Sequence, residues 1–166
     1  MIRLGLVLLM AAWSPLEAAD QPLTVILVRH AERAGGMAPD VGLSSAGRCR
    51  SKVLARMLSD AGIQRIYVSD VARTQQTAKP LADRIRIRPE IVPSKDVDAL
   101  VAKLQTGGGT ALIVGHSNTL PEIIQRIGGG NVKPIDDREF DLLFVATSTA
   151  PDRASLVTLR YAGCGK

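Results

Sequence analysis

Both histidines of this chain stand beside groups that bind anions. His30 lies in Arg29-His30-Ala31-Glu32-Arg33, and His116 in Gly115-His116-Ser117-Asn118. Between them comes Ser69-Asp70, with Arg73 one helical turn further on. Arginine offers a planar fork of N–H donors that matches phosphate oxygens. A neutral imidazole held among such cations can act as a nucleophile, dividing a group transfer into two steps through a covalent intermediate. Two arginines, two histidines and the N-terminal ends of two helices, whose free N–H groups attract anions, would suit a dianionic phosphoryl group without any metal.

That chemistry requires elements that bring distant residues together. Thr24-Val25-Ile26-Leu27-Val28 is a β-branched apolar run and reads as a buried strand. Ser44 and Ser45 open a helix whose apolar stripe is Val53, Leu54, Met57 and Leu58, with Gly62 past its end. Arg65–Val68 is a second strand. Ser69-Asp70 is expected to cap a helix carrying Ala72, Gln75, Ala78 and Leu81, with Pro80 placed to kink or break it. Residues 85–92 read as a weaker strand, and Asp96–Leu104 as a helix. After the turn at Gly107-Gly108-Gly109, Ala111–Val114 is a strand and Asn118–Ile127 a helix ended by three glycines. Leu142–Ala146 and Leu156–Tyr161, divided at Pro151-Asp152, read as an antiparallel edge hairpin.

Strands alternating with helices predict an α/β fold, a three-layer αβα arrangement about a largely parallel, doubly wound sheet. Ligands in such sheets collect beyond the carboxyl ends of the strands. Arg29-His30, Ser69-Asp70 and Gly115-His116 each follow a strand directly. One histidine at a strand end is usually structural; two, set among arginines in a chain that has only two, point to one site.

Here the residues resemble a known family. Val28-Arg29-His30-Ala31-Glu32, the run Ser69-Asp70-Val71-Ala72-Arg73-Thr74-Gln75-Gln76-Thr77-Ala78, and Val114-Gly115-His116-Ser117-Asn118 resemble, in order, three motifs of the histidine phosphatase (phosphoglycerate-mutase-like) superfamily. The resemblance implies a phosphomonoester hydrolase in which His30 accepts the phosphoryl group. Arg29, Arg73 and His116 would hold its equatorial oxygens and bind substrate, water would hydrolyse the phosphohistidine, and no metal or other cofactor would be needed.

Two departures bear on that expectation. The family's third motif residue is usually Gly and here is Ala31, a version that resembles small exported or envelope phosphatases. Mutase members carry a long insertion between the second and third motifs that supplies an acidic proton donor, and the stretch between Arg73 and His116 is too short to hold it. Glu32, beside the expected nucleophile, and Glu122, early in the helix after His116, are the candidate general acids. Two alternatives stand beside the phosphomonoesterase: a small phosphohistidine or phosphoprotein phosphatase, and a binding module for phosphate or phosphosugar that has lost turnover.

Composition narrows the field further. Across 166 residues, 21 Lys and Arg against 16 Asp and Glu leave a net charge of +5, which favours anionic partners. One Trp, two Tyr and two Phe are too few for a base-stacking platform, so no nucleic-acid partner is expected. Ser117 lies outside any Gly-x-Ser-x-Gly elbow, and Gly107-Gly108-Gly109-Thr110 lacks the lysine of a phosphate loop. Ser69 and Ser117 read as helix caps first and ligand contacts second, and Arg33 as a substrate contact or, in preference, a solvated loop charge. Arg84, Arg86 and Arg88, alternating with Ile85 and Ile87, read as an exposed strand edge.

Residues 1–19, with Arg3, the apolar run Leu4–Trp13 and small residues at Ala18-Ala19, read as a secretory signal, leaving residues 20–166 as the phosphatase domain. The run is shorter than the roughly 20 residues of a membrane span, so a periplasmic or secreted protein with no integral span after signal removal is expected. Export would permit a Cys49–Cys164 bridge, Cys164 lying in a pliant Gly-Cys-Gly tail. Cys49 would sit equally well as a buried thiol, and the residues leave both open.

Overall fold

The computed structural model describes residues 22–36, 40–150 and 152–164. The expected signal segment and its cleavage site lie outside the described residues. Six strands and four helices follow in the order β1 (Leu23–Arg29), α1 (Ser45–Met57), β2 (Ile63–Val68), α2 (Ala72–Ile85), β3 (Glu90–Ile91), α3 (Val97–Gln105), β4 (Gly109–Gly115), α4 (Thr119–Arg126), β5 (Leu142–Ala150) and β6 (Arg153–Arg160).

The strands form one sheet in the order β3-β2-β4-β1-β5-β6. The first four run parallel; β5 is antiparallel to β1, and β6 to β5. Alternation along each strand divides its side chains between two cores. Val25, Leu27, Tyr67, Ile113 and Phe144 pack under α3 and α4. Ile26, Val28, Ile66, Val68, Leu112 and Val114 pack under α1 and α2. Helices thus cover both faces, which is why β1 and β4 carry unbroken apolar runs, Val25–Val28 and Ala111–Val114, rather than alternating ones.

The ends of α1 and α3 are made as the sequence implies: Ser44 Oγ accepts from Gly47 N, and the Asp96 carboxylate from Ala99 N. Three local expectations are corrected. The helix α2 begins one residue later than Ser69-Asp70 implied: Val71 is its N-cap and caps nothing with its side chain. Ser69 and Asp70 are committed elsewhere, Ser69 to His116 and Asp70 to Ser94 N. Of the two effects expected at Pro80, the break does not occur, and α2 runs on to Ile85.

The third correction concerns residues 85–92, where only Glu90–Ile91 is strand. Ile85 is the last residue of α2, and Arg86 closes the helix in the left-handed conformation (φ 59°). Ile87 N then bonds back to the Ala82 carbonyl, completing a C-terminal wrap that leaves no extended backbone for a strand. Arg84, Arg86 and Arg88 are therefore a helix end and a loop, not a strand edge. Cys49 and Cys164 form a disulfide, with Cα atoms 5.8 Å apart across 115 residues of sequence. Among the described residues, no helix is long and apolar enough to cross a membrane.

Candidate active site

The two histidines meet because β1 and β4 are neighbours in register. Arg29 is paired with Gly115, and the ladder extends by one bond, His30 N donating to the Gly115 carbonyl at 2.9 Å. His30 and His116 thus leave adjacent parallel strands side by side. Their rings stand 5.3 Å apart, edge to face, and both residues are buried. A polar cavity of about 460 Å³ opens over them, lined by Arg29, His30, Arg33, Arg73, His116, Ser117, Asn118, Asp137 and Phe140.

The second motif is locked to the first through Thr77. Thr77 Oγ1 accepts from Ala31 N at 2.9 Å and itself donates to the Arg73 carbonyl. This fixes the turn after His30 against the helix that carries Arg73. Behind the turn, Ser44 N donates to the Glu32 carbonyl, and a Cβ at Gly47 would collide with that same carbonyl. Glycine is required there because the start of α1 lies directly on the backbone of the motif.

Hydrogen bonds assign the protons on both rings. His30 Nδ1 lies 2.9 Å from the Ala31 carbonyl, which can only accept, so the proton of the neutral ring is on Nδ1 and Nε2 keeps its lone pair. His116 Nε2 lies 3.0 Å from Ser69 Oγ, which is 2.9 Å from Thr74 Oγ1, which donates to the Val71 carbonyl at 2.9 Å. A carbonyl at the end of the chain sets its direction: Thr74 donates outward, Ser69 donates to Thr74, and His116 Nε2–H donates to Ser69. Nδ1 of His116 is the nitrogen left to meet a ligand.

Burial pushes the His30 imidazole down to about 4, with Arg73, His116 and Arg29 adding to the shift and the Ala31 bond opposing it. Burial also brings His116 down to about 4, reinforced by Arg73 and Arg29 and opposed by Asp70. Both rings are therefore neutral near pH 7, the state in which an imidazole can act as a nucleophile.

Arg29 is held from the loop that precedes β5. Its Nη1 donates to the carbonyls of Asp136 (2.8 Å) and Glu139 (3.2 Å), its Nη2 meets Asp137 Oδ1 at 3.3 Å, and the guanidinium stacks 4.5 Å from the centre of the Phe140 ring. Its Nε is buried without a hydrogen-bond partner among the described residues. Burial lowers its pKa from the ordinary arginine value, and Asp137 opposes that shift.

Arg29, His30, Arg73 and His116 thus line a single hollow. Arg33, expected as a solvated charge, lines its rim, and Ser117 and Asn118 line it as well. The two candidate acids are absent from that lining. Glu32 turns into a neighbouring hollow, where Oε1 accepts from Nε and Nη2 of Arg50 at 2.9 and 2.8 Å. Glu122 is an exposed residue of α4 facing Arg126 at 3.6 Å.

Sequence reading missed Asp137 and Phe140 because it followed only residues after strands. The strand β5 is antiparallel, so the residues before it, not after it, reach the carboxyl edge of the parallel strands. Asp136-Asp137-Arg138-Glu139 ahead of an apolar strand was the available signal.

Comparison with known proteins agrees with the geometry. The family described as the histidine phosphatase superfamily (branch 1) matches residues 25–95, which hold the motifs of His30 and Arg73. A PE-PGRS family protein of Mycobacterium tuberculosis is 32% identical over 81 residues, covering 44% of this chain and 14% of that protein. The chain thus spans about a seventh of the length of that curated relative. Among solved structures, the protein histidine phosphatase SixA complexed with tungstate superposes with a TM-score of 0.71 at 21% identity, over 83% of this chain and 97% of that one. A mycobacterial glucosyl-3-phosphoglycerate phosphatase superposes with a TM-score of 0.63 at 13% identity, over 85% and 99%. At these identities the structural likeness speaks to the fold.

Proposed function

We propose that this chain is a member of the histidine phosphatase superfamily, whose model matches residues 25–95, and that it is a phosphatase hydrolysing phosphate monoesters through a phosphohistidine on His30. The observation that carries the reading is the shared hollow: two neutral imidazoles 5.3 Å apart beneath Arg29 and Arg73, an interval that one tetrahedral phosphoryl group can bridge.

In this reading His30 Nε2 attacks phosphorus in line with the leaving oxygen. Its Nδ1–H, given to the Ala31 carbonyl, keeps the ring aimed and supports the positive charge it acquires. Arg73, whose guanidinium makes no hydrogen bond among the described residues, is free to fork onto phosphoryl oxygens, and the unpartnered Nε of Arg29 adds a donor. Such donors act on charge as it spreads over the equatorial oxygens in the transition state. Residues 20–166 are read as the domain that does this. The Cys49–Cys164 bridge supports a periplasmic or secreted setting for it, since disulfides persist in oxidising compartments.

The test is p-nitrophenyl phosphate hydrolysis in the presence of EDTA. The expected outcome is saturable turnover that survives chelation, is abolished in His30→Ala, and leaves acid-labile, base-stable phosphate on the wild-type protein after quenching. Saturable binding of phosphate esters with no release in the wild type would instead identify a binding module.

A further inference from the structure

The cycle just described needs a proton for the departing oxygen, and neither Glu32 nor Glu122 lines the cavity. Resting on that reading, we propose that Asp137 is the acid that protonates the leaving group and the base that then activates water.

Among the described residues, Asp137 is the one carboxylate in the cavity lining. Its Oδ1 is anchored twice, by Arg29 Nη2 at 3.3 Å and Ser117 Oγ at 3.4 Å. Its Oδ2 accepts no hydrogen bond among the described residues, and the side chain is 91% exposed. One oxygen is thus positioned and the other is free to carry and deliver a proton. The backbone beneath it is fixed as well, since the carbonyls of Asp136 and Glu139 both accept from Arg29 Nη1. The acid is therefore tied to the same guanidinium that meets the phosphoryl group, which sets its place relative to the reacting atoms. The proton enters with the substrate: a phosphate ester arriving as its monoanion carries one, which passes to the free Oδ2.

The steps balance. His30 Nε2 forms a bond to phosphorus as the bond from phosphorus to the ester oxygen breaks. That oxygen takes its electron pair and the Asp137 proton and leaves as an alcohol. A water oxygen then attacks the phosphohistidine, giving a proton to the Asp137 carboxylate. The bond from phosphorus to Nε2 breaks, its electron pair returns to the imidazole, and inorganic phosphate departs.

The test compares Asp137→Asn with the wild type on a simple alkyl phosphate and on p-nitrophenyl phosphate, whose leaving group needs no proton. General acids contribute about 10²–10⁴-fold. Turnover of the alkyl phosphate should therefore fall by about 10²-fold or more. The initial burst of p-nitrophenol should keep its wild-type rate while phosphohistidine accumulates, because hydrolysis has lost its base. Asp137→Ala should repeat both results. A burst slowed as much as alkyl turnover would overturn the proposal and make Asp137 only a tether for Arg29, as would unchanged alkyl turnover. A wild-type protein that shows neither burst nor phosphohistidine would instead bring down the phosphatase reading, and this proposal with it.

Discussion

At the scale of single residues, the site keeps two imidazoles uncharged by burying them beside arginines, and this must appear in stability as well as in catalysis. His30 and His116 titrate at about 4 in the folded chain against about 6.5 when unfolded. The unfolded state therefore binds more protons between those values, and stability rises with pH across that interval. The contribution is complete above about pH 6.5, is lost as pH falls toward 4, and levels off below. Thermal unfolding followed at constant ionic strength should show the midpoint dropping through this window. A His30→Gln, His116→Gln double variant should show a shallower drop, and an identical slope would contradict the shift. The positions of His30 and His116 were legible because histidine is rare in this chain and each directly follows a strand, and Arg29 and Arg73 because they stand close to strand ends at the same sheet edge. The role of Ser69 was not: a serine ahead of a helix reads as a cap, and only the packing of β2 beside β4 reveals that its hydroxyl faces His116.

At the scale of elements, the motif turn is clamped between two helices. Thr77 of α2 holds Ala31 N, and the start of α1 lies on the Glu32 carbonyl with no space for a side chain at Gly47. Gly47→Ala should therefore push α1 from the turn. Overpacking of this kind costs about 1–3 kcal/mol, and because the displaced backbone carries His30, phosphatase turnover should fall along with the urea midpoint. Loss of stability with full activity would show that the turn is not held by α1. Ser44 and Asp96 were readable as caps because capping is local chemistry, settled within a few residues. Residues 85–92 were misread for a physical reason. Arginine alternating with isoleucine has the period of a strand, but Arg86 adopts the left-handed conformation usually left to glycine, and the helix closes there.

At the scale of the whole molecule, the C-terminal tail is joined to α1 by the Cys49–Cys164 bridge. The bridged tail lies on α1: Arg50 Nη1 donates to the Tyr161 carbonyl, and Gly163 is close enough to the guanidinium that a Cβ would crowd it. A cross-link over 115 residues restricts the unfolded chain strongly, and removing one of that span costs about 2–5 kcal/mol. Paired denaturant titrations of the wild type and Cys49→Ser, Cys164→Ser should differ by that amount. Coincident curves would mean the bridge adds nothing. Whether the cysteines pair was undecidable from spacing, since it depends on where β6 returns the tail. The layered architecture was legible because β1 and β4 are apolar runs and amphipathic helices alternate with the parallel strands. The antiparallel turn of β5, which delivers Asp137 and Phe140, was not, because strand direction depends on pairing with β1 across the fold.

Since His30 and His116 issue from hydrogen-bonded neighbours, the gap between them is the repeat distance of a β-ladder, a caliper that no surface segment can readjust. Insertions or deletions around residues 128–141 would reshape what surrounds the hollow, and so which alcohol or protein is accommodated. They would leave the same small tetrahedral oxyanions as inhibitors. Selectivity is free to drift in this architecture while the reaction it serves stays put.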